Sequence, residues 1–383
     1  MFSQLFPSKD ATLYSLYPET NTGLDPILEF TKPDPYNASR MLIQFDQTEI
    51  MDTLSKVSET STSSGSWAAY LRVYASQVES LPTVLPIVVN PVSQEWDQGT
   101  GRLANSPTTV NGASWLGPKT GSFWIINNTS SLYYVNDYAL SGYVTGVPIT
   151  GSYLSGSVGG GAWYTSSYAT TTISQYTPQD LYINVTSIIS QWSSSLIPNN
   201  GFILRVSESI ENNPNYQYIL DYFSRDTNTI YPPSLFFYWK NQVFNPDITK
   251  LQTNQVFDVS IGNNDGVYYA ESNVRFTVAS RDKYPQRQFV TSSLYEFNKT
   301  LPSQSFYQII DVDTNETIIP FNDPGTLISA NGTGSYFNVD MSTLEPERFY
   351  TIQVKVDIDG STYVKNDSNM KFKVSQTIFP WVK

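Results

Sequence analysis

Few residue types in this chain can do chemistry. Its 383 residues contain no histidine and no cysteine. That removes thiol nucleophiles, Ser-His and Cys-His dyads, and nearly every zinc, copper or non-haem iron site. Carboxylates, lysines and tyrosines remain. Asp10, Glu29, Asp46, Glu95 and Asp97 are the acidic candidates of the N-terminal part, and glycoside hydrolysis would need two of them facing one cleft. Asp46 and Asp97 stand at strand ends, where a carboxylate commonly just accepts backbone hydrogen bonds, so the expectation is a protein without catalytic residues. Oxygen ligands recur in "DVDTNE" (Asp311, Asp313, Asn315, Glu316) and in "NNDG" (Asn263 to Gly266). The first lacks the glycine and the distant bidentate glutamate of an EF-hand loop and fits a hairpin equally well. The second reads as a turn. No metal and no cofactor is expected.

Aromatic chemistry is the richer possibility. Aromatics make up 14% of the chain and charged residues only 15%. Trp96, Trp115, Trp163 and Tyr164 could form an exposed surface for a glycan or a protein partner, or they could fill a core. A net charge of −12 without a Lys/Arg cluster speaks against a nucleic-acid partner. No apolar run has the length of a membrane span, and the N-terminus lacks the pattern of a secretory signal.

The elements that must position these residues read as short strands. In the first part they are "ATLYSLY", "ILEFT", "RMLIQFD", "AAYLRVYAS", "VLPIVVNPV", "LYINV", "FILRV", "YILDYFS" and "SLFFYW". Plain alternation in "YLRVYA" and "RMLIQF", with turn signals between runs, predicts an antiparallel sandwich or jelly roll. One segment differs. Ile188, Ile189, Trp192 and Leu196 fall at i, i+1, i+4 and i+8, which predicts a short crossover helix with its stripe turned inward. Asn184 or Thr186 would cap it, Pro198 would end it, and "NNG" would turn the chain into "FILRV". Between Leu103 and Gln179 only Lys119 and Asp137 carry charge. This Tyr/Ser/Gly-rich stretch has the composition of a contact surface. The second part reads as seven or eight strands, among them "VFDVSI", "NVRFTVAS" and "FYTIQVKVDI", and as a further β-sandwich of immunoglobulin-like size.

Taken in order, the first-part motifs resemble the DNRLRE family, a jelly-roll domain grouped with carbohydrate-binding modules. They are "DATLY", "NTGLDPILEF", Arg40 to Asp46, "LRVY", "EWDQGTG" with Trp96, Gly99 and Gly101, "NGASW" with Trp115, "GGGAWY" with Trp163, and "YILDYFSRD…YPPSLFFYW". The second part resembles a module of virion proteins from tailed phages related to the T4-like cyanophages. That resemblance rests on "YEFNKTLPSQSFYQIIDVDTNETIIPF" and on Leu344, Pro346, Glu347, Arg348 and Tyr350. Together they imply an all-β protein: a jelly-roll domain over 1–242 with one short crossover helix, a linker over 243–252, and an Ig-like sandwich over 253–383. The implied function is a non-enzymatic virion structural protein, homo-oligomeric in a symmetric particle and bound to other virion proteins. The alternative is a secreted or surface carbohydrate-binding module.

Overall fold

The computed structural model describes residues 1–62, 67–124, 126–128, 131–133, 159–246, 257–284, 299–322, 325–358, 360–366 and 368–376. The chain is mainly β-strand with few helices, an all-β sandwich fold as expected. It divides into two units. The N-terminal unit is Leu5–Asp52 with Ala68–Phe236, and the C-terminal unit is Met1–Gln4, Thr53–Trp67 and Phe237–Lys383. A single cut near residue 242 does not reproduce this grouping. The physical reason lies in bonds inside the C-terminal unit. The Met1 ammonium donates to the Trp239 carbonyl at 2.6 Å, Trp239 Nε1 donates to Thr60 Oγ1 at 2.8 Å, and Lys56 pairs with Asp340 at 2.9 Å. Most of the expected linker lies outside the described residues.

In the N-terminal unit a five-stranded antiparallel sheet has the order Ala169–Ile173, Leu85–Pro91, Phe202–Val206, Ser39–Phe45 and Pro7–Tyr14. Two smaller sheets have the orders Phe2–Leu5, Ser234–Trp239, Trp67–Val73, Leu181–Asn184 and Ile27–Lys32, Tyr218–Phe223, Ala75–Glu79; in the first, Phe2–Gln4, Trp67 and Phe237–Trp239 are grouped with the C-terminal unit. Period-2 alternation sends Met41, Ile43 and Phe45 to one face of the large sheet and Arg40, Leu42 and Gln44 to the other. Both faces are covered. The strand therefore reads as buried almost throughout instead of alternating between core and solvent.

The crossover helix is present as Thr186–Ser193, with Ile188, Ile189 and Trp192 buried. Trp192 packs on Phe202, their ring centroids 4.6 Å apart. Asn184 Oδ1 accepts from the Thr186 backbone N–H at 3.1 Å. Gly201, at φ +87°, makes the turn into the next strand. Leu196 does not belong to the stripe: the helix stops before it, and its side chain is 72% exposed.

The expectation of a single helix is corrected by Gln47–Thr60, a longer helix that the sequence reading passed over. Ile50, Thr53 and Val57 are buried at i, i+3 and i+7. Asp46 caps it, its Oδ1 accepting from Thr48 N at 2.7 Å and from Glu49 N at 3.4 Å. A four-residue helix, Glu208–Glu211, adds a further exception.

The C-terminal unit is a sandwich of two sheets. One has the order Phe257–Ile261, Asn273–Asp282, Gly334–Asp340 and Ser329–Asn331. The other contains Val267–Tyr269, Lys371–Ser375, Arg348–Ile358, Ser305–Asp311 and Thr317–Ile319. Rings from both sheets meet in its core, Tyr307 on Phe337 at 4.1 Å and Phe276 near Phe372 at 5.5 Å.

Candidate functional site

The outer face of the five-stranded sheet carries the motifs singled out in the sequence. Ala11, Leu13, Leu42 and Ile203 line this face, and Trp96, Trp115 and Trp124 pack down on them. The tryptophans come from loops, and glycine lets those loops approach so closely. Asn21, wholly buried, donates through Nδ2 to the carbonyls of Gln98 (2.7 Å) and Ala113 (2.8 Å), and its Oδ1 accepts from Gly101 N at 2.8 Å. A Cβ at Gly99, where φ is +76°, would stand 2.0 Å from the Asn111 carbonyl oxygen and 2.3 Å from Asn21 Oδ1. A Cβ at Gly101 would stand 2.2 Å from the Asn21 carbonyl oxygen. The W-x-x-G-x-G pattern is thus a packing requirement around one asparagine.

The tryptophan ring faces are engaged from within. The Lys9 ammonium lies 4.5 Å from the Trp96 ring centroid and donates to the Trp96 carbonyl, while Trp96 Nε1 donates to the Asn200 carbonyl at 2.8 Å. Burial lowers the Lys9 pKa, opposed by the carboxylates of Asp97 and Glu95. Arg40 lies 4.9 Å from the Trp115 ring and 5.2 Å from Trp163, and Arg205 lies 4.8 Å from Trp163. Arg40 Nε pairs with Glu211 at 2.9 Å and its Nη1 donates to the Gly160 carbonyl at 2.7 Å. Gly159, Gly160 and Gly161 all have positive φ, which lets the backbone run over Trp115 and Ile203.

Of the four residues expected to form a glycan or partner surface, Trp96 and Trp115 are core residues, 0% and 3% exposed. Trp163 is half-buried between the core and two guanidinium groups, and Tyr164 is half-buried beside it. No sugar ring can stack on Trp96 or Trp115 in this fold. Of the low-charge stretch from Leu103 to Gln179, residues 125, 129–130 and 134–158 lie outside the described residues. Within its described part Tyr168 and Tyr176 are 60% and 81% exposed.

Four of the five acidic candidates are spent on local structure. Asp46 caps a helix, and Glu95 and Asp97 pair with Lys119 at 3.1 and 3.7 Å. Asp10 is buried and accepts from Arg225 N at 2.6 Å. Glu29 stands directly across from Asp221 in the strand register. Burial raises both carboxyls, and the Asp221 charge raises Glu29 further.

In "DVDTNE", Asp311 Oδ1 accepts from Asp313 N at 2.8 Å and from Thr314 N at 3.0 Å, and Oδ2 accepts from Arg348. Donors occupy both Asp311 oxygens, the first that a calcium ion would need. In "NNDG", Asn263 Oδ1 accepts from Thr277 N and Asn264 Oδ1 from Gly266 N. Among the described residues no group of three or more acidic side chains is placed to hold a metal ion. No helix among them is long and apolar enough to cross a membrane.

A different aromatic pair, missed in the sequence, does reach the surface. Tyr70 and Tyr182 stack across neighbouring strands at 4.6 Å and 6°, and Tyr182 is 42% exposed. Arg72 lies beside them, 4.2 Å from the Tyr74 ring. The alternation of "YLRVYA" and "LYINV" held the signal, because Tyr70, Arg72 and Tyr182 occupy the outward positions of paired strands. No known family model matches the chain. A search of curated proteins likewise finds no match.

Proposed function

We propose that this chain is a non-enzymatic structural protein of a tailed-phage virion, homo-oligomeric in a symmetric particle and joined to other virion proteins by protein–protein contacts. The observation that carries this reading is its surface. Among the described residues Tyr17, Tyr36, Tyr168, Tyr176, Tyr182, Tyr269, Tyr284 and Tyr363 are all more than a third exposed. Tyrosine supplies large contact area at low entropic cost and is enriched where surfaces are buried against partners. The resemblance of the second part to a phage virion module points the same way. Four of the five acidic candidates, Asp10, Asp46, Glu95 and Asp97, are tied up in a cap, ion pairs or a backbone bond, which agrees with a chain built to pack and assemble. The test is to look for the protein in purified particles by mass spectrometry and labelled electron microscopy. Its absence from intact virions, with the protein abundant free in the lysate, rejects the reading.

The carbohydrate-binding alternative keeps one supporting observation, the Tyr70–Tyr182 stack with its exposed outer ring. It predicts glycan binding by a soluble monomer that Tyr182→Ala abolishes. A glycan array with no signal for the intact chain removes it.

A further inference from the structure

Asp10 lies on Pro7–Tyr14, on the face opposite Lys9 and Ala11, and is 1% exposed. Ile43, which carries no charge, stands opposite it on the neighbouring strand. The charged groups that act on Asp10 are the Asp226 carboxylate and the Arg225 guanidinium, both on the turn that follows Tyr218–Phe223. Lys9, its neighbour in sequence, is turned over Trp96.

That turn is tied to two loops. Ser224 Oγ donates to the Asp25 carbonyl at 2.6 Å, and Gln98 Nε2 donates to Asp226 Oδ2 at 3.0 Å and to the Gly23 carbonyl. The Gln98 carbonyl accepts from Asn21, and Asp25 Oδ2 accepts from Leu103 N at 3.0 Å. One chain of bonds therefore runs from Asp10 to the loop that carries Trp96 and Trp115.

We propose that Asp10 is a pH-sensitive latch. Neutral, it lets the Ser224–Asp226 turn stay seated over it without repulsion and so, through Gln98 and Asn21, keeps the tryptophan-bearing loop in place. Ionised, it repels Asp226 and loosens both.

A buried carboxylate with a single backbone donor and a like charge beside it is better off neutral. Burial, reinforced by Asp226 and opposed by the Arg225 N–H, pushes Asp10 up to about 7. Burial also raises Asp25 in the same seam. Because the folded value lies above the ordinary 3.8, the stabilisation is complete below about pH 4 and is lost as the pH rises to about 7.

The test is limited trypsin digestion of the full chain, following cleavage after the exposed Arg102 from pH 5.5 to 8.5. Rates are normalised to a free peptide and compared with Asp10→Asn, which cannot ionise. Cleavage of the wild type relative to the variant should rise about ten- to thirtyfold across this range. Identical pH profiles overturn the proposal. Should Asp10→Asn fail to fold, Asp226→Asn leaves Asp10 titratable but removes the repulsion. Its cleavage profile should then move to lower pH, because Asp226 helps to raise Asp10, and an unmoved profile is equally fatal. Gln98→Ala separates a latch from general stability, since it should keep the pH-dependent melting while cleavage after Arg102 no longer follows pH. Wild-type cleavage behaviour in that variant overturns the route through Gln98.

Discussion

Asp10 in the N-terminal unit and Asp311 in the C-terminal unit are buried alike, 1% and 0% exposed, and are driven in opposite directions. Asp10 receives one backbone N–H and faces Asp226, so burial wins and its pKa rises to about 7. For Asp311 burial acts upward too. The Thr314 and Asp313 backbone donors and the Arg348 guanidinium outweigh it, and its carboxyl is held below the usual range. Desolvation alone does not decide the charge of a buried carboxylate. The number of donors aimed at it does. Asp311 has its charge supported from several sides, whereas Asp10 has one donor, on a turn bonded to neighbouring loops.

The first way to sharpen this contrast is to set the scale of apolar packing. Trp192→Ala removes the largest member of the crossover-helix stripe and should cost about 3–5 kcal/mol, read from denaturant unfolding of the N-terminal unit. An unchanged midpoint would mean that the helix is not part of the core.

Arg348→Met strips the guanidinium from Asp311 and should cost the C-terminal unit about 3 kcal/mol, because an uncompensated charge stays buried. A loss under about 1 kcal/mol would show that the two backbone donors suffice, and the contrast with Asp10 would narrow.

Gly99→Ala probes the loop network. The added Cβ meets Asn21 Oδ1 and the Asn111 carbonyl in a left-handed backbone conformation, and a loss of about 2 kcal/mol is expected. Near-neutral stability would mean that Asn21 is not what holds the loops.

The pH responses should diverge. The Asp311 contribution is present above its ordinary value of 3.8 and is lost as the pH falls through its lower folded value. The Asp10 contribution disappears in the other direction, between about pH 4 and 7. Thermal unfolding followed separately in each unit should show the C-terminal unit weakening in acid and the N-terminal unit weakening toward neutrality. Parallel curves break the comparison.

The smallest effect expected is none. EDTA should leave both melting transitions in place, because donors already occupy the Asp311 oxygens. A calcium-dependent rise would show that "DVDTNE" rearranges to bind metal.

Much of the architecture was legible in the sequence because it depends on local periodicity. Alternation marked the strands, the Ile188–Ile189–Trp192 spacing marked the crossover helix, and the absence of cysteine and histidine narrowed the chemistry. The helix Gln47–Thr60 was legible too, in Asp46 followed by Glu49 and in Ile50, Leu54 and Val57. It was missed because its stripe is thin and its remaining positions are polar.

What the tertiary structure alone decided is where the aromatic and acidic side chains point. Trp96 and Trp115 carry the same letters whether they cap a sheet or face water. Only the fold of loops around Asn21 turned them inward, and only the strand register brought Tyr70 against Tyr182. The unlike fates of Asp10 and Asp311 have the same origin. Two of the Asp311 donors, the Asp313 and Thr314 N–H groups, are local, but Arg348 for Asp311 and Arg225 for Asp10 come from residues distant in sequence. Periodicity within a segment carries no information about them.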